Sequence, residues 1–220
     1  MRILRWIGVI LFGLTGCVLA FLSVGGAFAT LQQRYEAWWG FLLLGLPLAA
    51  VLLGTAWALG TGQRVRPVVG TLLAIAALVY TLALAGITIA ASTAVARARD
   101  LFAGLAFVPV AMFWPAPVLL TVLAGALLWK QGVRLAPYLF AGIALGWLTG
   151  WAGLWVVLLG SASPSRPIDR LGRVAEPSLW ESWTYRLGLL MHPEAWPVHL
   201  FFLLPAALAL GLGVLGSRRR

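Results

Sequence analysis

Charge is what this sequence most lacks. Lysine, arginine, aspartate and glutamate make up 10% of its 220 residues, against about 25% in ordinary soluble domains. With 62% apolar residues and a mean hydropathy of +0.96, the chain carries more apolar surface than one water-soluble core of this size can bury. The composition fits lipid as the solvent. Cysteine is also scarce, and the single Cys17 excludes an intramolecular disulfide and any cysteine-based metal cluster. Missing too are a nucleophile with its base, a phosphate-binding glycine loop and a pair of neighbouring carboxylates inside an apolar segment.

The few charges delimit what is present. Charge-free stretches run from Trp6 to Gln33, Ala37 to Gln63, Pro67 to Ala96, Leu101 to Trp129, Leu135 to Ser165 and Ala195 to Ser217. Since roughly 20 apolar residues cross a bilayer, each stretch is long enough to cross once. The fold class expected is therefore all-α: a six-transmembrane-helix bundle forming one integral membrane domain. Its spans fall near 4–25, 37–60, 68–93, 101–129, 135–160 and 196–216, with an extracytoplasmic segment at 161–195.

Positive residues set the expected orientation. With both termini in the cytoplasm, Arg2, Arg5, Arg64, Arg66, Lys130, Arg134 and Arg218 to Arg220 lie inside, nine in all, and the other seven lie outside. All six acids, Glu36, Asp100, Asp169, Glu176, Glu181 and Glu194, then fall on the outer face. The basic residues are spread over helix ends and lack the continuous patch that nucleic acid requires. Anionic headgroups on the cytoplasmic leaflet suit them better. Arginine at every basic position but Lys130, small size and a start resembling a lipobox point to a prokaryotic plasma membrane. That start, Leu14-Thr15-Gly16-Cys17, is followed by apolar Val18 to Val24 where a lipoprotein turns polar, so an intact first helix ended by Gly25-Gly26 is expected.

Within the spans several patterns stand out. The third carries small residues at Gly86, Ala90 and Ala94, a face suited to close helix approach, and hydroxyls able to bond to their own preceding turn. The fourth contains Pro109, Pro115 and Pro117 around Trp114, which predicts a kink or break. The fifth repeats Gly142, Gly146 and Gly150 beside Trp147, Trp151 and Trp155. That ridge and stripe can pack within the chain, or form a docking face for another subunit or a lipophilic ligand such as a quinone or pigment.

Between the last two spans, Ser178 to Glu181 fits a capping box. Leu179, Trp180, Trp183, Leu187, Leu190 and Met191 share one helical face. A short helix over 178–191, lying in the outer interface or covering the bundle, follows. His192, Glu194 and His199 come next, able in principle to hold a metal or ligate haem, although Pro193 and Pro197 interrupt any helix that would align them. In outline this tryptophan-rich segment before histidines resembles haem-handling membrane proteins of cytochrome assembly. Their tryptophan-rich signature is not reproduced here, so no residue role carries over, and no cofactor is implied.

Intramembrane charged residues usually mark function; the charge-free stretches hold no aspartate, glutamate, lysine or arginine, and His199 is the one histidine in them. The leading expectation is a non-catalytic membrane subunit or accessory protein of a larger complex. The alternatives are a small permease for an uncharged solute, motivated by the proline-broken span, and an outer-interface enzyme or haem or metal binder.

Overall fold

The computed structural model describes residues 2–32, 38–97, 108–129, 131–161 and 178–217. Of these, 93% are helical and none is in a strand. The helices are α1 (Arg2–Gln32), α2 (Trp38–Thr61), α3 (Val65–Arg97), α4 (Val108–Phe113), α5 (Pro115–Leu128), α6 (Ala136–Ser161), α7 (Leu179–Met191) and α8 (Trp196–Ser217), with a 3₁₀ turn at Pro193–Ala195 before the last. Five segments are long and apolar enough to cross a membrane: Ile3–Leu31, Val65–Thr93, Val108–Leu128, Ala136–Gly160 and Pro193–Gly216. A shorter apolar stretch, Gly45–Thr61, lies in α2. The chain is thus an all-helical protein with the character of a multi-pass membrane protein.

α3, α5, α6 and α8 form a closed ring, α3 touching α5 and α6, and α8 touching the same two. The core lies inside it, built from Ala74, Ala77 and Leu84 of α3, Ala124 of α5, Ile143 and Trp147 of α6, and Phe202 and Ala209 of α8. α1 and α2 form a hairpin attached to the ring through α2 and α3. Glycine permits that hairpin's closeness, since a Cβ on Gly45 would lie 1.7 Å from the Ser23 hydroxyl oxygen. At the other end of the hairpin, the Arg5 guanidinium donates to the carbonyls of Leu59 and, at 2.8 Å, Gly60. It thereby closes the C-terminal end of α2, whose last carbonyls have no intrahelical donor.

The ends of several elements gather at one end of the bundle. Gly70 near the start of α3 meets Leu127 and Leu128 at the end of α5, Gly125 meets Leu212 of α8, and Gly213 meets Pro137 and Phe140 at the start of α6.

Two local expectations are corrected. α1 does not stop at Gly25-Gly26 but continues to Gln32. Glycine weakens a helix in water, where exposed backbone can bond to solvent; in an apolar setting the helix is the only structure that satisfies its own backbone. The close-packing face of α3 is not Gly86, Ala90 and Ala94 either. A Cβ on Gly86 would meet nothing within 4 Å, Ala90 is exposed, and the side chain of Ala94 is outside the described residues. The buried face is Ala74, Ala77, Thr81, Leu84, Thr88 and Ser92 instead. Its hydroxyls donate to carbonyls one turn back, Thr81 to Ala77, Thr88 to Leu84 and Ser92 to Thr88, at 2.7, 2.8 and 2.7 Å.

The proline-rich fourth span is interrupted at one residue, Trp114, between α4 and α5. Trp114 keeps helical angles (φ −54°, ψ −42°) and its N–H still reaches the Val110 carbonyl at 3.0 Å. Pro115 and Pro117 supply no N–H, yet the Trp114 bond carries the helical ladder across the interruption. The expected start of this span, residues 101–107, lies outside the described residues, as do Lys130, Arg218 to Arg220 and the outer loop at 162–177.

Candidate functional site

α8 opens with Trp196-Pro197. Proline is tolerated in a first turn, where the missing N–H has no intrahelical acceptor, and this start places His199 one turn in, facing α6. Its Nδ1 accepts from the Trp151 indole N–H at 2.9 Å, while its Nε2 lies 2.8 Å from the Leu190 carbonyl oxygen of α7. An indole can only donate and a carbonyl only accept. The pair of contacts therefore assigns a neutral imidazole protonated on Nε2.

Aromatic rings enclose this imidazole. Trp155 stacks on it with centroids 5.1 Å apart and planes at 26°, Trp151 is tilted at 5.9 Å, and Trp196 stands edge-on at 6.0 Å and 83°. The Trp155 indole N–H is buried without a hydrogen-bond partner. His199 thus joins three helices with both nitrogens used, and neither lone pair is left for a metal.

The other members of the expected cluster turn elsewhere. His192 Nδ1 accepts from the Glu194 N–H at 3.4 Å, opening the 3₁₀ turn, and lies 3.8 Å from the Glu194 carboxylate; both residues are exposed. Among the described residues, no group of three histidine, cysteine, aspartate or glutamate side chains is placed to hold a metal ion. His192 pairs with Glu194 while His199 turns to Trp151 and Leu190, so the structure does not bring the three together.

α7 forms where the capping box places it. The Ser178 hydroxyl accepts from the Glu181 N–H at 3.2 Å, and the Glu181 carboxylate accepts from the Ser178 N–H at 2.8 Å. Trp180, Trp183, Leu187 and Met191 are exposed and Leu190 is half-buried; the Leu179 side chain lies outside the described residues. The Ser178 backbone bond, followed by the hydroxyl bond, holds the Glu181 carboxyl below its ordinary range. A folded value below the unfolded one means the cap contributes at neutral pH and is lost as pH falls through the lowered value. Amide exchange in the first turn of α7, taken relative to the intrinsic rate at each pH, should accelerate on acidification across that window. In Glu181→Gln it should be faster at neutral pH and lose that acid step; an unchanged pH profile in the variant would count against the cap.

A second aromatic cluster lies deeper. Trp114 packs edge-on to Trp147 at 6.3 Å and against Phe201 at 5.0 Å, and Trp147 meets Phe202 at 6.1 Å. The Trp114 indole donates to the Phe201 carbonyl at 2.9 Å. That carbonyl would ordinarily accept from the residue four positions on, which is Pro205 and has no N–H. The helix interruption therefore delivers the donor that the proline in α8 removed.

The glycine ridge and tryptophan stripe of α6 are both covered from within the chain. A Cβ on Gly142, Gly146 or Gly150 would approach Leu78, Thr81 or Ala85 of α3 at 3.2, 2.8 or 3.3 Å. The stripe turns to α8, with Trp147 only 1% exposed and Trp151 and Trp155 on His199. Within the chain, α3 lies against the ridge and α8 against the stripe, while Trp151 and Trp155 stay half-buried.

No family model, curated protein or solved structure matches this chain. Its function must be read from this geometry. Sequence reasoning missed Trp196 as a wall, the Leu190 carbonyl as a partner and the pairing of Trp114 with Pro205. Only the last left a signal, a proline inside an apolar helix, and that signal does not say which donor answers it.

Proposed function

We propose that this chain is a non-catalytic subunit or accessory protein of a larger complex in a prokaryotic plasma membrane, crossing it six times with both ends cytoplasmic. Charge distribution supports that orientation. Arg5 sits against the end of α2, which Arg64 and Arg66 follow in the chain, while Arg134 precedes α6, whose start lies at the end of the bundle where α5 and α8 end.

The observation that carries the subunit reading is α1. It is a 31-residue apolar helix packed on one neighbour, α2, with 11% of its apolar window buried. In the ring, by contrast, the buried hydroxyls and His199 are already bonded within the chain, and the unpartnered buried groups are the indole N–H donors of Trp147 and Trp155. At the depth of Trp114 the space is filled by rings, and the adjoining void beside Phe113 and Tyr80 is 20 Å³, room for about one water. This favours a contact protein over a permease, which needs a polar path at that depth.

The test is purification in mild detergent combined with a photo-crosslinker at Phe21, exposed on α1. A stoichiometric membrane partner crosslinked from Phe21 is expected. A monodisperse lone chain giving only lipid adducts would overturn the reading.

A further inference from the structure

We propose that the cleft between the end of α5, the turn that follows it and the end of α8 binds an anionic phospholipid, acyl chain inward and headgroup at the turn. The proposal rests on the membrane-spanning reading above and gives its lipid contact a place.

The cleft has a volume of about 320 Å³, at the lower end of ligand pockets, which run to roughly 300–1,000 Å³. Gly125, Leu128, Phe140 and Leu212 make an apolar floor, and Trp129, Gln131 and Gly132 stand at the mouth. Trp129 is 40% exposed, as expected of an indole at a membrane boundary, where one edge is wet and the other apolar. The carbonyls at the rim are already engaged: Gly125 accepts from Trp129, Leu128 from Gln131 and Val133 from Ala136, at 2.9, 3.0 and 3.2 Å.

Charge selects the occupant. Arg134, exposed, sits in the turn between the lining residues Val133 and Ala136. In the chain, Lys130 separates Trp129 from Gln131, and three arginines begin two residues after Gly216. No acid lies anywhere between Asp100 and Asp169 or beyond Glu194. An apolar floor below a turn whose described charged side chain, Arg134, is cationic matches a lipid with an acyl chain and a net negative head. A free anion would have no use for the floor, and a zwitterionic lipid would gain nothing from the mouth. Each basic residue near such a surface contributes about 1 kcal/mol, about a fivefold preference.

Gly216 supplies the decisive variant. A Cβ there would meet no atom within 4 Å, so Gly216→Leu can project into the cleft without displacing a neighbour. The full chain is placed in phosphatidylcholine nanodiscs doped equally with brominated phosphatidylglycerol or brominated phosphatidylcholine. Fluorescence lost between wild type and Trp129→Phe isolates the Trp129 signal. Quenching of that signal several-fold stronger by the anionic lipid is expected, reduced about fivefold in preference by Arg134→Gln and abolished by Gly216→Leu. Equal quenching by both lipids, or a preference that survives both variants, overturns the site. Loss of the preference on adding inorganic phosphate would assign the cleft to a free anion and also overturn it. Because both leaflets carry the probe, an inverted orientation or a missing protein partner leaves this result untouched.

Discussion

His199→Leu should detach α7 from the bundle while leaving the ring folded. Leucine fills much of the imidazole's volume but leaves the Trp151 N–H without an acceptor and the Leu190 carbonyl without a donor. Each stranded group costs about 1–3 kcal/mol. Leu190, at the end of a helix with a wet face, can turn to water, so Trp151 carries the larger share. The total is a sizeable part of the roughly 5–15 kcal/mol that holds a domain folded. Hydrogen exchange should accelerate through the second half of α7, and the detergent unfolding temperature should fall. His199→Gln, whose amide can both donate and accept, should recover part of the loss. Unchanged α7 exchange in the leucine variant would show that the imidazole does not tie the three helices together.

The second large effect belongs to Trp114. Trp114→Phe keeps an aromatic ring among Trp147, Phe201 and Phe202 but removes the donor to the Phe201 carbonyl. In an apolar interior that carbonyl has no water to turn to, and the expected cost is about 1–3 kcal/mol. Trp114→Ala adds a cavity and should cost roughly 3–5 kcal/mol. A double-mutant cycle with Pro205→Ala separates the bond from the packing. Alanine at 205 restores the backbone N–H that Phe201 lacks, so Trp114→Phe should cost much less in that background, with a coupling of about 0.5–3 kcal/mol. Equal costs of Trp114→Phe in both backgrounds would show that the indole acts only as packing volume.

Where each reading succeeded follows from the range of the forces involved. Helix positions came from the absence of charge, a property of each segment alone, and ends such as 135–160 against Ala136–Ser161 agree within a residue or two. The capping box of α7 was legible because Ser178 and Glu181 are three residues apart and bond to each other's backbone. The overextended α1 is an error of the same local kind, since Gly25-Gly26 was weighed as it would be in water.

Partner choice was not legible. Gly142, Gly146 and Gly150 announce that some backbone comes close, but α3, a lipid or another protein would satisfy the same ridge. Helices in lipid gain little from simply hiding apolar surface, and associate by shape and by occasional hydrogen bonds. Shape belongs to pairs of helices and is not written in either one. Likewise, His199 could be singled out as the one histidine in an apolar span, yet its role depended on an indole 48 positions away and a carbonyl nine positions back.

By itself, then, the sequence determined an all-helical, lipid-suited chain, where its helices run and where its charges fall, because hydrophobicity and capping act within a few residues. Only the tertiary structure decided that α6 turns its glycines to α3 and its tryptophans to α8, that Trp114 answers Pro205, and that a cleft is left between the ends of α5 and α8. Those outcomes depend on which surfaces interlock across the bundle, and no single segment carries that information.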